Sequence, residues 1–316
     1  MKRFPAWLRR EIPTGSTFAT HEALAEFKLN TVCESALCPN QMECYSHRTA
    51  TFMILGDRCT RSCGFCAIDV GKPSAVEADE PMRVAKAASK LGLRHVVVTS
   101  VARDELQDEG AGAFHQTILS IRELLPEATI EVLTPDFHAR PELLGHVCDA
   151  YPSVYNHNIE TVERLTPRVR PQAKYRRSLQ VLEYVKSYHP AILTKSGLML
   201  GLGEELEEVT QALFDLRSVG CDILTIGQYL KPREGKLEME EFISPEIFSQ
   251  LEEEGRRMGF REVYAGPYVR SSYHASEAYA RSLTASSLRR HEVPEAISEI
   301  ASSGPSVGRP RNDGQL

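Results

Sequence analysis

Six of the eight cysteines in this 316-residue chain fall between Cys33 and Cys66, and only Cys148 and Cys221 lie elsewhere. Such crowding suits either a disulfide-stapled module or a segment that ligates metal. The opening residues, MKRFPAWLRR, are basic but lack the apolar stretch and small-residue cleavage site of a secretory signal. An organelle-targeting peptide is disfavoured because Pro5, Glu11 and Pro13 spoil a basic amphipathic helix. The expected compartment is therefore the reducing cytoplasm, where clustered thiols read as ligands rather than as disulfides.

Downstream of the cysteines, short β-branched apolar runs alternate with helix-periodic stretches. Strands are expected over Ala50–Leu55, Arg94–Ser100, Thr129–Thr134, Ser153–Asn156, Ile192–Leu200 and Asp222–Tyr229. The intervening helices are expected near Pro81–Leu91, Gly112–Leu125, Pro141–Cys148, Ala173–Tyr188, Glu205–Val219 and Pro245–Met258. Six such units predict an α/β fold with a parallel sheet, a partial (β/α)6 TIM-like barrel with N-terminal and C-terminal extensions. The boundaries expected are an N-terminal extension over 1–49, the barrel over 50–265, a closing segment over 266–279 and a disordered tail over 280–316. The formal net charge of −6 gives no reason to expect nucleic acid or an anionic membrane as a partner. No apolar run is long enough to span a bilayer.

In a β/α barrel, reactive groups sit on the loops that follow the strands. Cys59-x-x-x-Cys63-x-x-Cys66 occupies that place after the first strand. Three thiolates so spaced can hold three irons of a cubic four-iron cluster and leave the fourth iron open to a small molecule. Phe65 offers an aromatic face beside them. The rival is a zinc loop missing its fourth ligand, although zinc ribbons use paired C-x-x-C units and no second pair follows. A second trio, Cys33-x-x-x-x-Cys38-x-x-x-x-x-Cys44, taken alone suits structural zinc or buried thiols equally. Arg270-Ser271-Ser272-Tyr273 taken alone reads as a polar turn.

The C-x-x-x-C-x-x-C loop resembles the signature of the radical S-adenosylmethionine superfamily. Combined with the C-x-x-x-x-C-x-x-x-x-x-C trio, the chain resembles the lipoyl synthase family from about Phe4 to Ala275. The stretches TVCESALCPNQMEC, YNHNIETVERL, VRPQAKYRRSL, TKSGLMLGLGE and LTIGQYLKP fit in order and spacing. VARDELQDEGA departs from a family run closer to VDRDDL.DGGA, which puts details of that loop in doubt. The resemblance implies two [4Fe-4S] clusters and S-adenosyl-L-methionine. One cluster would sit on Cys59, Cys63 and Cys66. The other would be an auxiliary cluster on Cys33, Cys38 and Cys44, with Ser272 of the RSSY motif as its fourth ligand. It further implies hydrogen abstraction at C6 and C8 of a protein-bound octanoyl group, with sulfur drawn from the auxiliary cluster. The partners implied are octanoylated lipoyl carrier domains (2-oxoacid dehydrogenase E2 subunits and the glycine cleavage H protein), an electron donor such as flavodoxin or ferredoxin, and an iron–sulfur carrier protein.

Weaker candidates are weighed residue by residue. Asn158 and Glu160 read equally as ligands of S-adenosylmethionine or as a helix cap with an acidic first turn, and the resemblance favours the ligand role. Thr99 and Ser100 could hold the methionine amine or be ordinary loop hydroxyls. Lys195 interrupts an apolar strand and is expected to point into the cavity toward a carboxylate. Arg103 and Asp104 contact a substrate arm or pair with each other. Gly201 and Gly203 allow close backbone approach to a nucleoside. Two rivals are a methylthiotransferase or biotin synthase-like sulfur inserter, and a non-enzymatic zinc scaffold. The former usually carries its extra cysteines in a separate N-terminal domain.

Overall fold

The computed structural model describes residues 4–9, 11 and 15–291. Its strands are β1 (Asn30–Thr31), β2 (Thr51–Ile54), β3 (Arg58–Cys59), β4 (Asp69–Val70), β5 (His95–Ser100), β6 (Thr129–Leu133), β7 (Val154–Asn156), β8 (Leu193–Leu200), β9 (Ile223–Gln228) and β10 (Glu262–Gly266). The helices are α1 (Phe18–Glu26), α2 (Val32–Ser35), α3 (Gln41–Ser46), α4 (Glu80–Leu91), α5 (Ala111–Leu124), α6 (Pro141–Cys148), α7 (Thr166–Val169), α8 (Tyr175–Tyr188), α9 (Leu206–Ser218), α10 (Pro245–Arg257) and α11 (Ala275–His291). The main sheet has the order β1-β2-β5-β6-β7-β8-β9-β10. Every pairing from β2 to β10 is parallel, and β1 lies antiparallel on the β2 edge. The end strands β1 and β10 do not pair, so the barrel is open.

The strands sit where their sequences are apolar on both faces, as a sheet covered by helices demands. All six residues of β9 are buried, as are five of the six in β5. The helices carry their own punctuation. α4 has proline in its first turn and stops at Gly92, which takes the left-handed φ of +68° that residues with a Cβ resist. α9 opens on a reciprocal capping box between Glu205 and Glu208. Burial concentrates in two apolar clusters, one around Phe52, Phe114 and Val132 and one around Leu198, Leu224 and Phe248.

The partial α/β barrel expected from the sequence is present, with two differences. A seventh parallel strand, β10, follows the sixth helix. Its residues EVYAG are few, are followed by Pro267 and lie at the sheet edge, so the local pattern reads as a loop. The tail expected from Ala280 is helical as far as His291, because α11 runs through that boundary. The remainder of that expected tail lies outside the described residues. The N-terminal extension is pinned by Tyr45, which is fully buried: its hydroxyl shares a hydrogen bond with Thr31 at 2.6 Å and its carbonyl accepts one from Thr20 at 2.8 Å.

Candidate active site

At the carboxyl ends of the parallel strands lies a cavity of about 480 Å³. Cys33, Cys38, Cys44, Cys59, Cys63 and Cys66 all line it, together with Arg270, Ser271, Ser272 and Tyr273. The cysteines are free thiols.

The loop after β2 turns at Leu55 and Gly56, both at positive φ, and enters the short β3–β4 ladder that carries Cys59. Two backbone amides, of Arg61 and Ala102, donate to the Cys59 sulfur at 3.4 and 3.3 Å. Such donors would stabilise a thiolate here and tune a metal bound to it. Gly64 donates to the Val169 carbonyl at 2.8 Å, fixing the loop between Cys63 and Cys66. Burial pushes the Cys63 thiol up to about 12 and the Cys33 thiol up to about 11. These two thiols are therefore protonated at neutral pH when no metal is bound, and a metal held by them would have to drive their ionisation.

Arg61 clamps this loop. Its guanidinium forks onto Asp104 at 2.7–3.1 Å and reaches Asp136, beyond the end of β6, at 2.8 Å. Asp136 also takes Arg177 of α8 at 3.1 Å. Burial alone would raise the Asp136 carboxyl, but Arg61, with His157 and Arg177, holds it down at about 2. Asp136→Ala would leave Arg61 with Asp104 as its carboxylate partner and take this carboxylate from Arg177. We expect a loss of about 1.5–3 kcal/mol in anaerobic urea unfolding, the scale of a lost hydrogen bond between charged groups. An unchanged midpoint would contradict the clamp.

The upper wall carries polar side chains that line the cavity. Ser100 Oγ and Asn158 Oδ1 are buried, line the cavity and have no hydrogen-bond partner among the described residues. Unsatisfied buried polar atoms of this kind are waiting for a partner. Asn158 Nδ2 donates to Glu160 at 3.0 Å, and Glu160 sits at φ +65° in a bridge to Leu198. Neither residue caps a helix, since α7 begins only at Thr166. Strain of this kind persists where the surroundings enforce it. Burial raises the Glu160 carboxyl, with Arg170 opposing. Gly197 keeps the wall thin: a Cβ there would meet Thr225 Oγ1 at 2.6 Å and Asn158 Oδ1 at 3.0 Å. Thr99 lines the cavity but gives its hydroxyl to the Leu133 carbonyl at 2.9 Å. Phe65 also lines it.

Two residues without a role in the sequence reading support that wall. Arg170 is buried; it donates to the Asn158 carbonyl at 2.6 Å and to Ser178 Oγ at 2.8 Å. His157 bonds the Thr134 carbonyl through Nδ1 at 2.9 Å and Ser178 Oγ through Nε2 at 2.9 Å. The carbonyl requires Nδ1 to carry the proton, so Nε2 accepts from the serine. Burial, then Arg170, lowers His157 to about 4. The unfolded chain therefore binds this proton more tightly, and stability should fall as pH drops from about 6.5 toward 4. His157→Gln should flatten that slope in urea titrations across the window; an unaltered slope would sink the assignment. Arg170 lies in the basic run TPRVRPQAKYRR with four other cations, so nothing local distinguished it.

Three expectations require correction. Lys195 does not line the cavity: it lies in the first half of β8, inside the barrel below the site. Its ammonium reaches the carboxylate expected for it, Glu131, at 2.9 and 3.0 Å. Burial would raise Glu131, but Lys195 and His95 hold it at about 2. Arg103 touches neither Asp104 nor the cavity; it donates to the carbonyls of Leu55 and Ser74, both at 2.9 Å. Gly201 does permit a close approach, but to the chain's own Glu241 carbonyl, 2.5 Å from where a Cβ would stand.

The other trio is carried on α2, the turn after it, and α3. Cys38 N donates to the Cys33 carbonyl at 3.0 Å, past Leu37 at φ +53°, and Cys44 N to the Asn40 carbonyl at 2.9 Å. A tetrahedral zinc site, with Zn–S near 2.3 Å, brings sulfurs about 3.8 Å apart. Among the described residues, only Asp104, Glu109 and His138 form a trio of possible ligands whose donor atoms all lie within 4.8 Å of one another.

An open parallel barrel with a three-cysteine loop after its first parallel strand defines a radical S-adenosylmethionine enzyme. The family model for the Radical SAM superfamily matches residues 53–216. The fold agrees with the crystal structures of methylornithine synthase (TM-score 0.53, 14% identity, 86% of this chain and 77% of that one) and of the FeFe-hydrogenase maturase HydG from Carboxydothermus hydrogenoformans (TM-score 0.55, 14%, 84% and 68%). Within the superfamily, the lipoyl synthase of Rubrobacter xylanophilus is 54% identical over 274 residues, covering 86% of this chain and 85% of its own. That of Caldanaerobacter subterraneus is 52% identical over 273 residues, covering 86% and 96%. The mitochondrial lipoyl synthase of Nematostella vectensis is 49% identical over 274 residues, covering 86% and 94%. The chain belongs to the lipoyl synthase family, whose sulfurtransferases insert sulfur into an octanoyl chain.

Proposed function

We propose that one chamber holds both halves of the reaction, with one [4Fe-4S] cluster on Cys59, Cys63 and Cys66 and an auxiliary [4Fe-4S] cluster on Cys33, Cys38, Cys44 and Ser272. The observation that carries this reading is that all seven residues line the same cavity. Unactivated C–H bonds give acid–base groups no handle. When held by Cys59, Cys63 and Cys66, the first cluster with S-adenosylmethionine would supply the radical chemistry needed to break the C6 and C8 C–H bonds. The auxiliary cluster is a reagent, surrendering two sulfurs to the octanoyl carbons. The chain's own residues bind and orient. Ser100, Asn158 and Glu160 offer partners to the amine, carboxylate and hydroxyls of S-adenosylmethionine, and Phe65 flanks it. Val32, Leu37, Leu133 and Leu198 give the octanoyl arm an apolar wall and exclude water.

The acyl donor is an octanoylated lipoyl carrier domain, as on 2-oxoacid dehydrogenase E2 subunits or the glycine cleavage H protein. Repeated turnover requires an electron donor such as flavodoxin or ferredoxin and an iron–sulfur carrier to rebuild the auxiliary cluster. The reading of the six clustered cysteines as metal ligands rather than disulfides supports placement in the reducing cytoplasm. Among the described residues, no helix is long and apolar enough to cross a membrane.

Anaerobic reconstitution tests the cluster count. About eight irons and eight sulfides per chain are expected, from two four-iron cubes, falling to about four when Cys33, Cys38 and Cys44 are all changed to alanine. Colourless protein loaded with zinc would instead support a structural scaffold.

A further inference from the structure

The serine-bearing segment is joined to the N-terminal cysteine segment by contacts on both sides of Ser272. Four residues before it, the Tyr268 carbonyl accepts a hydrogen bond from Asn40 Nδ2 at 2.7 Å, and Asn40 is buried. The Tyr268 hydroxyl also donates to the Leu8 carbonyl at 2.7 Å. One residue after Ser272, the Tyr273 hydroxyl donates to Glu43 Oε1 at 2.9 Å. His274 Nε2 lies 3.7 Å from the same oxygen, and its ring packs edge-on against Tyr273 at 4.2 Å. Asn40 and Glu43 both lie between Cys38 and Cys44 in the chain. On the barrel side, the segment passes so close to β9 that a Cβ on Gly227 would stand 2.0 Å from the Val269 carbonyl. His274 is held at φ +51°, a conformation that a side chain adopts only when its neighbours enforce it.

We propose that Asn40 and Glu43 are positioning residues that latch the RSSY segment through Tyr268 and Tyr273, so that Ser272 is presented to the auxiliary site by the protein rather than by iron. None of these contacts needs a cluster. The latch therefore outlasts the sacrifice of the cluster and keeps the fourth ligand in place for rebuilding. The inference rests on the reading of Ser272 as a ligand and adds what places it. The charge-assisted bond from Tyr273 to Glu43 is its strongest element.

The test is iron release to a colorimetric chelator from anaerobically reconstituted full-length protein. Cys59, Cys63 and Cys66 are changed to alanine, so that only auxiliary iron is counted. Glu43→Ala should speed loss of the first iron about tenfold, the scale of one lost charge-assisted hydrogen bond. Glu43→Gln keeps an acceptor for Tyr273 and should stay within about threefold of the parent. Tyr273→Phe repeats the test from the other partner, and decides it if Glu43→Ala does not fold. With the radical cysteines restored, Glu43→Ala should still form 5′-deoxyadenosine but give less sulfur-inserted product. A merely structural role would depress both together. Parent-like iron release in both Glu43→Ala and Tyr273→Phe would overturn the latch. Ser272→Ala separates the two claims: if it too releases iron at the parent rate, the serine-ligand reading fails; if it alone is fast, only the latch fails.

Discussion

Cys59→Ala is expected to abolish S-adenosylmethionine cleavage, with 5′-deoxyadenosine falling to the level seen without protein. In the proposed ligand set only three thiolates would hold this cluster, so removing one would leave a second iron without a protein ligand. Cys59 is also the best-anchored of the three. It is part of the β3–β4 ladder, and its sulfur receives two backbone amides. The alanine would leave those amides aimed at nothing and two cysteines on a loop still clamped by Arg61. The measurement is anaerobic chromatography after incubation with dithionite and S-adenosylmethionine. Cleavage at even a few per cent of the parent rate would mean that the open iron is held elsewhere.

Cys38→Ala should separate the two halves of the reaction: cleavage persists, but no sulfur-containing product forms. Cys38 lies in the turn between α2 and α3, on a segment outside the parallel strands, and its backbone bonds run to Cys33 and Gln41 rather than to the radical loop. Its loss therefore disturbs the auxiliary site while the Cys59 loop keeps its amides and its Arg61 clamp. Mass spectrometry of an octanoyl-lysine peptide is the readout. If the variant still thiolates the peptide, sulfur does not come from this trio; if it loses cleavage as well, the two sites are not independent.

The barrel was legible because its parallel strands are covered on both faces, so each reads as an apolar run of strand length. β10 escaped because an edge strand of five residues ending at Gly266 and followed by Pro267 carries no such run. The Cys59/Cys63/Cys66 spacing suggested metal by itself, whereas the Cys33/Cys38/Cys44 spacing, equally suited to buried thiols, did so only beside it. What the sequence alone could not supply was the pairing of distant charges. Arg61 meets Asp104 and Asp136 across 43 and 75 residues, and Asn40 meets Tyr268 across 228. Such pairs leave no local period. Lys195 shows the opposite failure. Its presence in an apolar strand correctly called for a carboxylate, but strand position decides depth, and its place in the first half of β8 puts it beneath the site. Ser272 read alone is a polar turn; it becomes a ligand candidate through the family resemblance, and it lines the same cavity as Cys33, Cys38 and Cys44.

The central claim is that the protein itself carries the sulfur it inserts. Protein reconstituted with isotopically heavy sulfide, freed of excess, and mixed anaerobically with octanoyl-lysine peptide, S-adenosylmethionine and dithionite addresses it directly. The account predicts a peptide that gains two sulfur atoms, both heavy, with the yield limited to one peptide per chain. A product carrying light sulfur, or more than one product per chain without any added sulfur source, would contradict it.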